Sequence, residues 1–152
     1  MRLTRHSDYA LRVLLFLGAA QGELVTIGAI AERFEISRNH LMKVVNRLAA
    51  HGFVETVRGK RGGIRLAQPP ETIPLGELLR RTEEDFTLVE CFREEDQRCR
   101  IEGTCAVRAV LDEALHAFLA VLDRYTLADL LHNRGALAVD LNLIDRRAAE
   151  TG

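Results

Sequence analysis

Three observations predict a mainly α fold: a winged helix-turn-helix with a small β-hairpin wing, followed by a long dimerisation helix. Two short amphipathic stretches lie either side of a turn, two β-like runs flank the cationic turn RGKRGG, and a later stretch from Thr104 to Tyr125 keeps a coiled-coil-like seam. The 152 residues, 47% apolar and 28% charged, suffice for a compact domain with an appendage and a real core.

The opening MRLTRHSDYALRVLLFLGAA has the outline of a secretory leader, but Asp8 and Arg12 interrupt the approach to its short apolar run. An amphipathic helix fits better, with Ala10, Leu11, Leu14, Leu17 and Gly18 at helical spacing. In TIGAIAERFE, Thr26 is an N-cap and Ile27, Ile30, Ala31 and Phe34 share a face. After a break at Ile36 comes SRNHLMKVVNRLAAHG, which Ser37 can cap and Gly52 follows. Leu41, Val44, Val45 and Leu48 should face the core. The opposite face carries Asn39, Lys43 and Asn46, with His40, Met42 and Arg47 alongside, and no carboxylate. Two helices joined by so short a link fit a helix-turn-helix, whose second helix enters the DNA major groove. Phe53–Val57 and Ile64–Ala67 then form the hairpin, and its tip presents Arg58, Lys60 and Arg61.

Pro69 and Pro70 end the wing strand. TIPLGELLRRTEE reads as a short helix with Leu75, Leu78 and Leu79 inward, and residues 85–103 as mostly loop. In the long helix, Val107, Leu111, Ala114, Phe118, Val121 and Tyr125 recur at alternating steps of four and three. Val110, Leu115, Leu119 and Leu122 widen that stripe beyond what one lone helix can bury, which favours a homodimer. Beyond Leu131 no strong pattern remains. The expected organisation is a DNA-binding domain over residues 1–68, a loop and dimerisation helix over 69–131, and a partly disordered tail over 132–152.

Charge supports this division. Residues 1–68 hold 11 Lys+Arg against 5 Asp+Glu, and residues 69–152 hold 10 against 17. A basic front joined to an acidic back suggests a polyanion-binding module attached to something else. Aromatics at 5% and no Trp argue against stacking platforms for single strands. Double-stranded DNA is the expected partner, through Ser37, Arg38, Asn39, His40, Lys43 and Arg47 of the second helix and Arg58, Lys60 and Arg61 of the wing. Asn39 and Lys43 suit base edges, whereas Arg38 and Arg47 suit phosphate. A two-fold protein pairs with a palindromic operator. RGKRGG lacks the strand-to-helix context of a phosphate loop, and no nucleophile–base pair stands out, so an enzyme is not expected.

All three cysteines fall in CFREEDQRCRIEGTC, at C-x7-C-x5-C spacing. No apolar run approaches the roughly 20 residues needed to span a bilayer, so a cytoplasmic protein with reduced thiols and no membrane association is expected. The odd count disfavours disulfides, and structural zinc usually takes C-x-x-C pairs, absent here. His116 projects from a helix and is a poor fourth ligand. Cys91, Cys99 and Cys105, near Arg93, Arg98 and Arg100, can ligate an iron–sulfur cluster, with zinc and a thiol switch as alternatives.

The SDYALR opening, the segment ISRNHLMKVVNRLAAHGFVETVRGKRGGIRLA and three cysteines before a long helix together resemble the Rrf-type winged-helix iron–sulfur transcriptional regulators, most closely their nitric-oxide-sensing repressors. The resemblance covers about residues 1–130. It implies a homodimer with one iron–sulfur cluster per subunit, of the 4Fe–4S type in preference to 2Fe–2S. Cys91, Cys99 and Cys105 would be ligands, and Asp8 of the partner subunit's first helix a further one. Without that role, Asp8 is a carboxylate at the favourable end of a helix dipole. The expected function is a repressor whose operator affinity falls when nitric oxide reaches the cluster. Sensing of iron or cluster supply is the alternative within the family, and an iron–sulfur carrier or assembly protein is the alternative outside it.

Overall fold

The computed structural model describes residues 2–92, 100–101 and 104–143. The first helix, α1 (Arg5–Ala19), starts at Thr4, whose hydroxyl accepts a bond from the Ser7 N–H at 3.3 Å. Its Ala10, Val13 and Leu14 are fully buried and Leu17 nearly so. α2 (Ile27–Phe34) is capped by Thr26, whose hydroxyl accepts from the Ala29 N–H at 3.1 Å. It stops at Glu35, which takes a left-handed conformation with φ 53°. The chain then turns back through Ile36 into α3 (Arg38–Ala50), which buries Leu41, Val44, Val45 and Leu48 as its spacing requires.

The wing is an antiparallel pair, β1 (Val54–Val57) and β2 (Gly63–Leu66), in register from Val54 opposite Leu66 to Val57 opposite Gly63. Val25 forms a separate antiparallel bridge to β2, exchanging bonds of 3.0 and 2.8 Å with Ile64. That close approach explains the glycine beside it: a Cβ at Gly63 would lie 2.8 Å from the Val25 carbonyl oxygen. At the tip, Gly59 sits at φ 116°, which a side chain would strain.

After a 3₁₀ turn at Pro70–Thr72, α4 (Leu75–Thr82) buries Leu75, Leu78 and Leu79. α5 (Ala106–Asp123) runs along α4, and Arg80 grips Asp123 with two bonds of 2.6 and 2.7 Å. Two further helices follow, α6 (Leu127–Leu130) and α7 (Arg134–Asp140).

The packing runs across residue 68. One core takes in α1, α2, α3 and the wing together with Ile73, Leu78, Leu127, Leu131 and Leu141. Helix α1 is its axis and touches α3, β2, α4, α6 and α7. The first part of the expected tail carries regular structure. Residues 134–140 are helical and return to α1, with Ala138 and Leu141 buried. Residues 144–152 lie outside the described residues.

α5 is the exception to this compactness. Along its length only Leu115 is buried, while Val107, Val110 and Val121 are 59%, 62% and 45% exposed. Its apolar stripe is therefore only partly covered within one chain. No helix among the described residues is long and apolar enough to cross a membrane.

Candidate functional site

Packing of Leu41, Val44, Val45 and Leu48 inward turns the other side of α3 to solvent. Ser37, Arg38, Asn39, His40, Met42, Lys43 and Asn46 are all exposed. Ser37 occupies the N-cap position, yet its hydroxyl makes no cap bond. Arg38 lies back over the first turn of α2, where a Cβ on Gly28 would come 2.5 Å from its guanidinium. Beside it a notch of about 460 Å³ opens between α2, α3 and the wing, lined in part by Arg38, Asn39, Met42, Thr56 and Gly62. Arg58, Lys60 and Arg61 stand exposed at the wing tip, whereas Arg65 is paired with Glu55 on the strands. The two cationic groups thus flank one open surface without an acidic side chain on α3.

Arg47 stands apart from the other predicted contacts. It is half-buried, and its Nε donates to the Arg81 carbonyl at 2.9 Å, with Nη2 3.5 Å from the Glu83 carbonyl. Periodicity marks Arg47 as flanking the polar face, but it cannot say which way a long side chain folds.

The same corner gathers residues that sequence reasoning did not single out. Ser7 Oγ donates to Thr82 Oγ1 at 2.9 Å, and Glu83 Oε1 accepts from Thr4 N at 2.9 Å and Thr4 Oγ1 at 3.1 Å. His6 lies there too. Burial first, then the Arg47 charge, holds its imidazole below the ordinary value, against the opposing pull of Glu83 and Glu84. Its Nε2 is buried without a partner. Nothing in the sequence separation of Ser7 and Thr82 signals this contact.

Of the predicted metal ligands, Cys91 lies in a 3₁₀ turn (Glu90–Phe92) and Cys105 at the N-cap of α5. Both thiols are free and half-buried. Cys105 makes no cap bond, so its sulfur is uncommitted at the positive end of a helix, a place that favours an anionic ligand atom. Cys99, Arg93 and Arg98 lie outside the described residues, while Arg100 is exposed. Asp8 is about half exposed and pairs with Arg12 one turn along α1, Oδ2 lying 3.1 Å from the guanidinium. Arg12 in turn lies over the Phe34 ring. His116 is spent on its own helix, its Nδ1 lying 2.9 Å from the Asp112 carbonyl oxygen. Among the described residues, no three His, Cys, Asp or Glu side chains come together as a metal site. By its chemistry the donor set nevertheless fits an iron–sulfur cluster: Cys91 and Cys105, on either side of Cys99 in the sequence, are free, half-buried thiols.

A winged helix with an acid-free helix face and a basic wing defines a DNA-binding transcriptional regulator of the helix-turn-helix type. The family model for Rrf2, described as an iron-dependent transcriptional regulator, matches residues 3–133, and the chain belongs to that family. It is 55% identical over 135 residues to the HTH-type transcriptional regulator NsrR of Bacillus subtilis, covering 88% of this chain and 92% of that one. The protein of the same name from Geobacillus kaustophilus is 52% identical over 138 residues, covering 90% and 94%. Among solved structures, the oxidized form of Staphylococcus aureus CymR superposes with a TM-score of 0.68 at 26% identity, over 87% and 97% of the two chains. T. potens IscR gives 0.65 at 26%, over 88% of each. The relatives are named as transcriptional regulators, a non-enzymatic class, and the chain is not read as an enzyme.

Proposed function

We propose that the chain acts as a homodimeric repressor whose affinity for a palindromic operator falls when nitric oxide reaches an iron–sulfur cluster. The observation that carries the DNA half is the exposed, acid-free face of α3 beside a basic wing. Asn39 and Lys43 would read base edges, with Ser37 and His40 beside them, while Arg38, Arg58, Lys60 and Arg61 would hold phosphates. The dimer reading rests on α5, whose apolar stripe one chain leaves open. Covering it with a second copy would set two recognition helices at a fixed spacing, as a two-fold operator requires.

Cys91, Cys99 and Cys105 would hold the cluster, one per subunit, with Asp8 of the partner subunit as a further ligand. The cluster would supply iron able to bind nitric oxide. Asp8 would contribute a ligand atom harder and more easily displaced than a thiolate. Its carboxylate is accessible from outside its own chain and held in place by Arg12. Sensing of iron supply would use the same thiols, and the test below separates the two.

The test is anaerobic purification with iron and sulfide analysis, followed by titration with nitric oxide on a duplex selected by the chain from a random pool. An iron- and sulfide-containing dimer whose binding weakens on titration supports the reading. Binding that follows iron loading and ignores nitric oxide favours iron sensing. Zinc or no metal, with indifference to both treatments, leaves a DNA-binding regulator with another signal.

A further inference from the structure

The last turn of α4 joins elements that would otherwise act separately. On one side it meets the start of α1, through Ser7–Thr82 and Thr4–Glu83 bonds whose residues Ser7, Thr82 and Glu83 are 0%, 1% and 8% exposed. On the other it meets the recognition helix, through Arg47. The carbonyls of a final helical turn have no partner within their own helix, and a cation there meets the negative end of the dipole. Nε and Nη2 of Arg47 both face the α4 exit, the shorter bond being that to the Arg81 carbonyl at 2.9 Å, so the edge of the guanidinium that would fork onto a phosphate is already engaged there. Immediately beyond Glu83 the chain leaves towards Cys91.

We infer that Arg47 is a positioning residue, a strut that fixes the recognition helix to the exit of α4 and ties its orientation to the segment bearing Cys91. Arg47 therefore shapes DNA affinity without touching DNA. The link to the cysteine segment rests on the function proposed above; the role of Arg47 as strut rather than phosphate contact does not.

The experiment compares wild type, Arg47→Ala, Arg47→Lys and, as a phosphate-facing control, Lys60→Ala, with circular dichroism melts to confirm folding. The salt dependence of binding to heterologous duplex DNA is measured first, because it needs neither operator nor iron. Removing a phosphate contact lowers the slope of log K against log salt by about 0.9 per subunit, and Lys60→Ala should show this. Both Arg47 variants should keep the wild-type slope yet lose about tenfold in affinity for the selected operator, since lysine cannot reproduce the planar fork. A slope that drops in Arg47→Ala and recovers in Arg47→Lys would overturn the strut, because any cation can serve a phosphate.

The second reading compares operator affinity with iron loaded and with iron removed. In wild type the two should differ, and in both Arg47 variants their ratio should shrink towards one. Variants that respond as fully as wild type overturn the link to the cysteine segment. A wild type indifferent to iron sinks that link together with the proposed function, while the salt slopes still decide what Arg47 does.

Discussion

Between α5 and α6 the chain turns at Thr126, whose backbone N–H donates to Asp129 Oδ2 at 2.7 Å and whose hydroxyl donates at 2.9 Å. These bonds, the backbone one foremost, hold the Asp129 carboxyl below its ordinary value of 3.8. A group more acidic folded than unfolded adds stability above its unfolded value and loses it as pH falls through the folded one. Asp129→Asn should therefore melt below wild type at neutral pH, with a gap that closes as pH drops below about 4. Thermal melts across that range check this, and a gap independent of pH would assign the effect to something other than the charge. The cap at Thr26 was readable in the same way, since a threonine before an apolar-periodic run is a local signal. Arg47 was not. Its position beside the polar face is a matter of period, whereas its bond to Arg81 depends on where α4 ends in space.

At the level of elements, the outcome depended on how local each signal was. α1 to α3 and the wing were legible because their apolar spacing and turn residues specify them nearly alone. α7 was missed because its contribution to the core is chiefly Ala138, with Leu141 just beyond its end, and so short a stripe carries little period. α5 was legible in both respects: as a helix, and as one with too much apolar surface for its own chain. If a second copy covers that surface, Val110→Asp buries an unpaired charge in each copy. The cost is about 3 kcal/mol or more per copy, about 6 kcal/mol for the pair, so the dimer dissociation constant should rise by roughly ten-thousandfold or more. Val110 is 62% exposed in the single chain, so the helical circular dichroism signal should survive. Sedimentation would show monomers where wild type is dimeric; an unchanged dimer would place the interface elsewhere.

The whole molecule divides by charge but not by core. Basic residues gather over the helix-turn-helix and wing, yet Leu127, Leu131 and Leu141 from the acidic half close the same hydrophobic cluster. That shared cluster joins α3 to the later helices within one chain, and a separate link through the dimer would exist if Asp8 serves the partner. In the single chain, Asp8 pairs with Arg12 and belongs to no assembled ligand group among the described residues, which makes that link testable by mixing. Chains carrying Asp8→Ala and Cys105→Ala are coexpressed with different affinity tags, and the heterodimer is isolated. If Asp8 acts across the interface, the Asp8→Ala chain keeps its cysteines and receives Asp8 from its partner, so one of two sites is whole. If Asp8 acts within its own chain, neither site is whole. Iron retained against a chelator should then be half the wild-type amount in the first case, and no more than in the two variant homodimers in the second. The comparison reads ligand geometry through stoichiometry, so it holds whichever signal the regulator answers.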